Sequence, residues 1–168
     1  MELVNLDNLA AVLDEFAVEV RNLYQDKLIL HDRIASGDLL NSVECNVEYD
    51  GHTYSVTLTL QDYWKYVEEG VRGKKNPRSP YNNPGWKAYP FIYKWIEVKP
   101  VIPRPYNGKL PSQKSLAYLI TRSIKENGTQ GSHDLRDTKE AVLARYRSKI
   151  AEALGHDMTD YIRKMVAQ

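Results

Sequence analysis

Two alternating runs flank a single Asp-Gly pair, and they restrict the fold more than any other feature of the chain. Val43, Cys45, Val47 and Tyr49 alternate with Glu44, Asn46 and Glu48, and Tyr54, Val56, Leu58 and Leu60 alternate with Ser55, Thr57 and Thr59. A period of two is the spacing of a strand with one buried face. Asp50-Gly51 between two such runs is a strong hairpin signal. A two-residue turn there pairs Tyr49 with His52, Val47 with Tyr54, Cys45 with Val56 and Val43 with Leu58. The apolar side chains then share one face.

The flanking sequence changes period. Leu6, Leu9, Ala10, Leu13, Phe16, Ala17, Val20, Leu23 and Tyr24 recur at helical spacing. They predict a long helix over about 6–31, N-capped by Asn5, with its acids on the outer face. A break follows at Ala35-Ser36-Gly37-Asp38. Residues 62–69 read as a short helical turn, 71–89 as a loop, and 89–98 as a helix around Phe91, Ile92 and Trp95. Trp95 is placed in the core, and Trp64 and Val67 beneath the sheet. Lys99 to Pro105 is a stiff extended connector with three prolines. Ser112 caps a helix through Leu116, Leu119, Ile120 and Ile124 that stops at Asn127-Gly128. Asp137 with Glu140 resembles a capping box. It opens a helix through Val142, Tyr146, Ile150 and Leu154 that ends at Gly155, and a last short helix carries Met158, Tyr161, Ile162 and Met165. No internal repeat or low-complexity tract stands out. The expected class is α+β: a long N-terminal helix packed on a small antiparallel sheet, with further C-terminal helices and long extended loops. One domain, 1–168, is expected, with its core at about 6–70 and 112–166 and an extended basic region at 71–111.

The chain has 168 residues, enough to bury a core without disulfides or metal. An apolar share of 42% fits a globular protein. No apolar run approaches the ~20 residues of a membrane span, and Glu2 opens an N-terminus without a basic signal region. Neither membrane insertion nor secretion is expected. The single cysteine, Cys45, reads as a small core residue of a protein made in a reducing cytoplasm.

Residues of catalytic chemistry are not assembled by the sequence. His31, His52, His133 and His156 are scattered without metal-ligand spacing. Glu68 and Glu69 are neighbours, so on a helix they diverge by about 100° and cannot act as a facing acid–base pair. Asn127-Gly128-Thr129-Gln130-Gly131 follows a helix rather than a strand, unlike a phosphate-binding loop. The expectation is a protein that is not an enzyme, with no catalytic, cofactor-binding or metal-binding residues.

Charge tells more. Residues 1–70 hold 4 Lys/Arg against 14 Asp/Glu, and residues 71–114 hold 10 against Glu97 alone. The total of +1 conceals this segregation. The change of sign falls at Tyr63-Trp64-Lys65-Tyr66-Val67-Glu68-Glu69-Gly70. An acidic face and a basic face on one chain suit contact with another copy or a partner. Such a contact is head-to-tail, and head-to-tail contacts that close make rings. The residues selected for subunit or partner contact are Tyr63, Tyr66, Glu68, Glu69, Arg72, Lys74, Lys75, Arg78, Tyr81 and Trp86. Their basic–aromatic mixture also matches nucleic-acid binding, and a solvated loop is a third reading.

Four segments in series resemble a known family. Ser36-Gly37-Asp38-Leu39-Leu40-Asn41-Ser42-Val43 looks like the entry to its first strand. Tyr63 to Gly70 looks like its Y-A-x-Y-V-E-x-G segment. Pro90-Phe91-Ile92-Tyr93-Lys94-Trp95-Ile96 resembles its P-x-x-x-x-W-I helix, and Leu116 to Thr129 resembles its A-x-x-I-x-R-x-I-x-x-x-G-T helix and exit. The family is that of the neck, head–tail joining and tail-completion proteins of tailed bacteriophages. Val71-Arg72 stands where the family has Thr or Ser, and Ser132-His133-Asp134 where its exit is often apolar. The resemblance implies a non-enzymatic structural protein of the virion, made in the bacterial host cytoplasm. It implies a six- or twelve-fold homo-oligomeric ring between portal and tail that contacts other neck, portal or tail proteins. Genomic DNA would pass through the lumen without specific binding, past acidic residues of the first third of the chain. A nucleic-acid-binding module and a phage assembly chaperone are the alternatives.

Overall fold

The computed structural model describes residues 6–99, 101–105 and 108–167. The fold is α+β: a long N-terminal helix packed on a two-stranded antiparallel sheet, with further helices towards the C-terminus. Contacts gather into two compact units. Unit 1 is Met1–Lys27, Val43–Leu60 and Asp134–Gln168; unit 2 is Leu28–Ser42 and Gln61–His133.

Unit 1 is built on two antiparallel helices, α1 (Asp7–Leu30, in unit 1 as far as Lys27) and α6 (Asp134–Val166). Val20, Val142 and Tyr146 form the buried centre, with Val12, Phe16, Leu23 and Ile150 packed around them. The Phe16 and Tyr146 rings meet edge-on at 5.7 Å. Polar rungs record the antiparallel register: Lys27 Nζ to Asp134 O, Glu19 with Arg145, and Glu15 with Lys149. These exposed ion pairs contribute about 1 kcal/mol or less each, so apolar burial dominates the pairing.

The N-terminus of α1 is capped by α6. Asp157, buried at 4% exposure, accepts from the Leu9 amide at 2.9 Å and the Asn8 amide at 3.2 Å, and from Asn8 Nδ2 at 2.7 Å. A carboxylate there satisfies otherwise orphaned N–H groups and complements the helix dipole. The predicted Asn5 cap lies outside the described residues. The predicted break at Gly155 is corrected: α6 is one helix of 33 residues that starts at Asp134, not Asp137. Gly155 does not adopt the left-handed conformation that ends helices. Asp157 reaches α1 only if the helix continues past Gly155, so the tertiary cap outweighs the roughly 1 kcal/mol that an interior glycine costs.

The hairpin joins β1 (Glu44–Tyr49) to β2 (Tyr54–Thr59). Its register is two residues from the predicted one: Tyr49 faces Tyr54, Val47 faces Val56 and Cys45 faces Leu58. The loop has four residues because Asp50 Oδ1 accepts from the amides of His52 (2.9 Å) and Thr53 (2.7 Å). The shift also stacks Tyr49 on Tyr54 at 4.6 Å. A slip of two preserves the faces, so the apolar side chains still share one. Burial raises the pKa of the Cys45 thiol, against the opposing effect of Arg21.

Unit 2 contains α2 (Asp38–Asn41), α3 (Trp64–Glu69), β3 (Gly70–Val71), a 3-10 turn (Gly85–Ala88), α4 (Tyr89–Val98), α5 (Gln113–Asn127) and β4 (Thr129–Gln130). Ser112 caps α5 as predicted, its Oγ accepting from the Ser115 amide. Trp95 is not in the core. It is 36% exposed, and Lys99 Nζ lies 6.0 Å from its ring centre while pairing with Asp32 at 2.8 Å. Lys94 and Glu97 take one side of α4, and its apolar residues cover a wide arc of the rest. Ile92 and Ile96 are half-buried, while Phe91, Trp95 and Val98, spaced along the other side, stay exposed. Trp64 and Val67 are also half-buried, and Val67 lines a groove with Ile92 and Trp95.

Asp157→Ala should destabilise unit 1 by about 2–3 kcal/mol, the scale for hydrogen bonds to a buried charge. Gly155→Ala, whose added methyl group meets nothing within 4 Å, should stabilise it by about 0.5–1 kcal/mol. Chemical denaturation of the two variants reads both effects, and a helix that truly breaks at Gly155 would give the opposite sign for Gly155→Ala.

Candidate interaction surface

The candidate contact residues are carried by a backbone crossing. Gly70-Val71-Arg72-Gly73 follows α3, and Gly128-Thr129-Gln130-Gly131 follows α5. The two segments run antiparallel, with Gly70 opposite Gln130 and Val71 opposite Thr129. Gly70 and Gly128 leave their helices in nearly the same conformation, with positive φ (65° and 70°) and extended ψ (−168° and −170°), open in practice to glycine alone. A methyl group on Gly70, Gly73 or Gly128 would fall within 3 Å of backbone atoms of the other segment, and one on Gly131 within 3 Å of the backbone of Glu68 and Glu69 at the end of α3. Chains this close admit glycine alone at all four positions.

The loop after the crossing is fastened to the end of α5. The backbone amides of Lys74 and Lys75 donate to the carbonyls of Glu126 (3.4 Å) and Asn127 (2.8 Å). Asn83 Nδ2 donates to Ile124 O at 2.5 Å and Arg72 O at 3.1 Å. Carbonyls in the last turn of a helix lack partners within it, and the loop supplies them. Asn76 Nδ2 bridges Glu69 O and Thr129 O, both at 3.0 Å. Buried Ser79 donates to Gly70 O, and Arg72 Nε donates to Ser79 O. Residues 71–84, expected as a simple loop, form a built scaffold.

That scaffold presents the expected residues unequally. Arg72, Lys74, Lys75 and Arg78 are exposed. Tyr66, 45% exposed, meets half-buried Tyr81 edge-on at 5.3 Å, with Lys65 over both rings. Trp86 stacks on Tyr118 at 5.0 Å, both exposed, with Lys125 Nζ 5.3 Å from the indole. Tyr63 is 40% exposed; burial, the larger effect, raises its pKa against a backbone hydrogen bond at Leu39. Glu69 is half-exposed, with Oε2 3.9 Å from His133 Nδ1. Glu68 is corrected: at 3% exposure its side chain is not on the surface, and its carbonyl accepts the His133 amide at 3.1 Å. Its backbone lies against Gly131, beside the crossing.

Asn76, Asn83, Ser79 and Tyr118 are absent from the expected set. Asn76-Pro77 and Asn83-Pro84 are the dipeptides that favour turn initiation, and they mark both fastening points. The partnership of Tyr118 with Trp86, 32 positions apart, has no local signal. Beside it, Arg122 Nε bonds Glu126 Oε1 at 2.8 Å, which raises the pKa of the guanidinium and lowers that of the carboxyl.

The charge division follows the two units. Unit 1 holds 9 Lys/Arg and 15 Asp/Glu, a net of −6; unit 2 holds 14 and 7, a net of +7. Among the described residues, no group of His, Cys, Asp and Glu could hold a metal ion, and no helix is long and apolar enough to cross a membrane. No protein-family model, curated protein or solved structure matches the chain.

Gly73→Ala should cost unit 2 about 3 kcal/mol or more, because a backbone clash cannot relax by moving a side chain. Hydrogen exchange at the Lys75 amide checks this: protection is expected to collapse in the variant, and unchanged protection would refute the close crossing.

Proposed function

We propose that the protein is a structural subunit of a tailed-phage neck or tail hub, closing head-to-tail into a ring between portal and tail. The observation that carries this reading is the charge division: two compact units of one chain bear net charges of −6 and +7. Opposite patches on one molecule are complementary between copies, and such heterologous contact makes a ring when its rotation closes. Two further observations support it. The four segments that resemble the neck family lie in unit 2, Val43 apart, and two of them, Tyr63–Gly70 and Leu116–Thr129, meet at the glycine crossing. The same unit holds its basic and aromatic side chains outward on a fastened scaffold, which limits the entropy lost on docking. Carboxylates of unit 1 that line the lumen would repel DNA and let it slide.

Sedimentation velocity tests this reading. At low salt the chain should form one discrete closed species that dissociates as salt rises. Replacing Arg72, Lys74 and Lys75 together by Gln should shift it to monomer at matched concentration. Gln is preferable to Glu, because carboxylates at 74 and 75 would also oppose the dipole at the C-terminal end of α5. Open-ended polymers, or assembly indifferent to salt and to these substitutions, would refute the head-to-tail contact.

The exposed Trp86–Tyr118 stack beside Lys125 favours one other reading, a platform for nucleic-acid bases. On that reading the chain binds single-stranded DNA with an affinity that falls steeply with salt and falls further in Trp86→Ala. Fluorescence anisotropy with a labelled oligonucleotide decides it, and no binding at low salt eliminates it.

A further inference from the structure

We infer that the connector Val101–Pro105 of one copy docks into the acidic groove on unit 1 of the next. This rests on the head-to-tail reading above and names the segments that meet.

The connector is an arm with two kinds of side chain. Val101 and Pro103 are half-buried and line a groove with Ile96, Pro111 and Leu116, which holds the arm to its own unit. Ile102 and Arg104 face outward. Ile102 is 91% exposed, the most exposed of the large apolar side chains among the described residues. Three prolines in Lys99–Pro105 stiffen the arm, so little conformational entropy remains to be lost on binding. An exposed branched aliphatic beside an arginine, on a rigid strip of a basic unit, has the composition of an interface anchor.

A complementary surface lies on unit 1. Asp14, Glu15, Val18, Glu19 and Asn22 of α1, with Tyr146 of α6, line an open groove. Val18 is 48% exposed at its centre, an apolar floor among three carboxylates. Glu19 pairs with Arg145 and Glu15 with Lys149, while Asp14 has no ion pair among the described residues. Hydrogen bonding with Glu19, the largest cause, raises the pKa of the Tyr146 hydroxyl. The groove presents an apolar patch beside an available carboxylate. The arm presents an apolar residue two positions from a cation. Ile102 on Val18 with Arg104 towards Asp14 satisfies both. The exposed stripe Phe91, Trp95 and Val98 is less suited to this groove, because Lys99 beside it is already neutralised by Asp32.

Cross-linking between single-cysteine variants tests the docking. In a Cys45→Ser background, Val18→Cys and Ile102→Cys are made as separate proteins and mixed under mild oxidation, with Tyr118→Cys replacing Ile102→Cys as the control. A docked arm raises the local concentration of one thiol at the other, so the Val18–Ile102 heterodisulfide should form at least about ten-fold faster than the control pair. The reaction should slow in Asp14→Lys and recover when Arg104→Glu is added to the partner. Equal rates for the two pairs overturn the inference. So does a disulfide that forms within one chain carrying both cysteines but not between mixed chains. If sedimentation still shows a discrete ring in either case, the ring reading survives and the arm assignment alone fails. No ring and no cross-link refutes both.

Discussion

Unit 2 depends on one steric constraint: two Gly-x-x-Gly segments cross so closely that no side chain fits between them. Each follows a helix, and each begins with a glycine of positive φ and extended ψ. Cβ atoms at positions 70, 73 and 128 would overlap backbone of the opposite segment, and one at 131 would overlap backbone at the end of α3. The crossing sets where α3 and α5 end relative to each other. That places the loop amides of Lys74 and Lys75 under the last carbonyls of α5, and Asn76 and Asn83 complete the fastening. The basic and aromatic side chains are therefore displayed from a stiff frame, although the two strands involved have only two residues each.

Unit 1 uses a different device. Its helix pair is held by apolar packing around Val20, Val142 and Tyr146, and its far end is fixed by one buried carboxylate. Asp157 links the cap of α1 to the continuity of α6, so a helix with a glycine in its interior persists because a partner helix needs it. The ion pairs beside the core contribute little to stability. Their larger consequence is to leave α1 unevenly neutralised, with Asp14 beside exposed Val18. A net charge of −6 on one unit and +7 on the other is not a requirement of the fold.

Periodicity and caps made much of this legible. The extents of α1, α4 and α5, the Ser112 cap, the two strands and the mixed class follow from spacing and turn chemistry. The readings that failed involve interactions distant in sequence or competing local ones. Gly155 looked like a stop because nothing local announces that Asp157, 149 positions from Asn8, must cap α1. The hairpin register slipped by two because the Asp50 side chain and the Tyr49–Tyr54 stack outweigh a two-residue turn. The apolar arc of α4 is wider than the face it buries: Ile92 and Ile96 take the half-buried positions and Trp95 stays at the edge. Of the candidate contact residues, the exposed cations were legible from composition, but the burial of Glu68 and the pairing of Trp86 with Tyr118 have no local signal. The repeated Gly-x-x-Gly was present in the sequence, and its significance appears only when the two copies lie against each other.

The most direct test of the proposed neck role is to count this chain, by quantitative mass spectrometry against the portal subunit, in purified particles of the tailed phage to which the proposal assigns it. A ratio near one-to-one, or a simple fraction such as one-to-two, is the predicted result for a closed ring at the neck. Absence of the chain from the particle would contradict the account and move the protein to a role in assembly or on free nucleic acid.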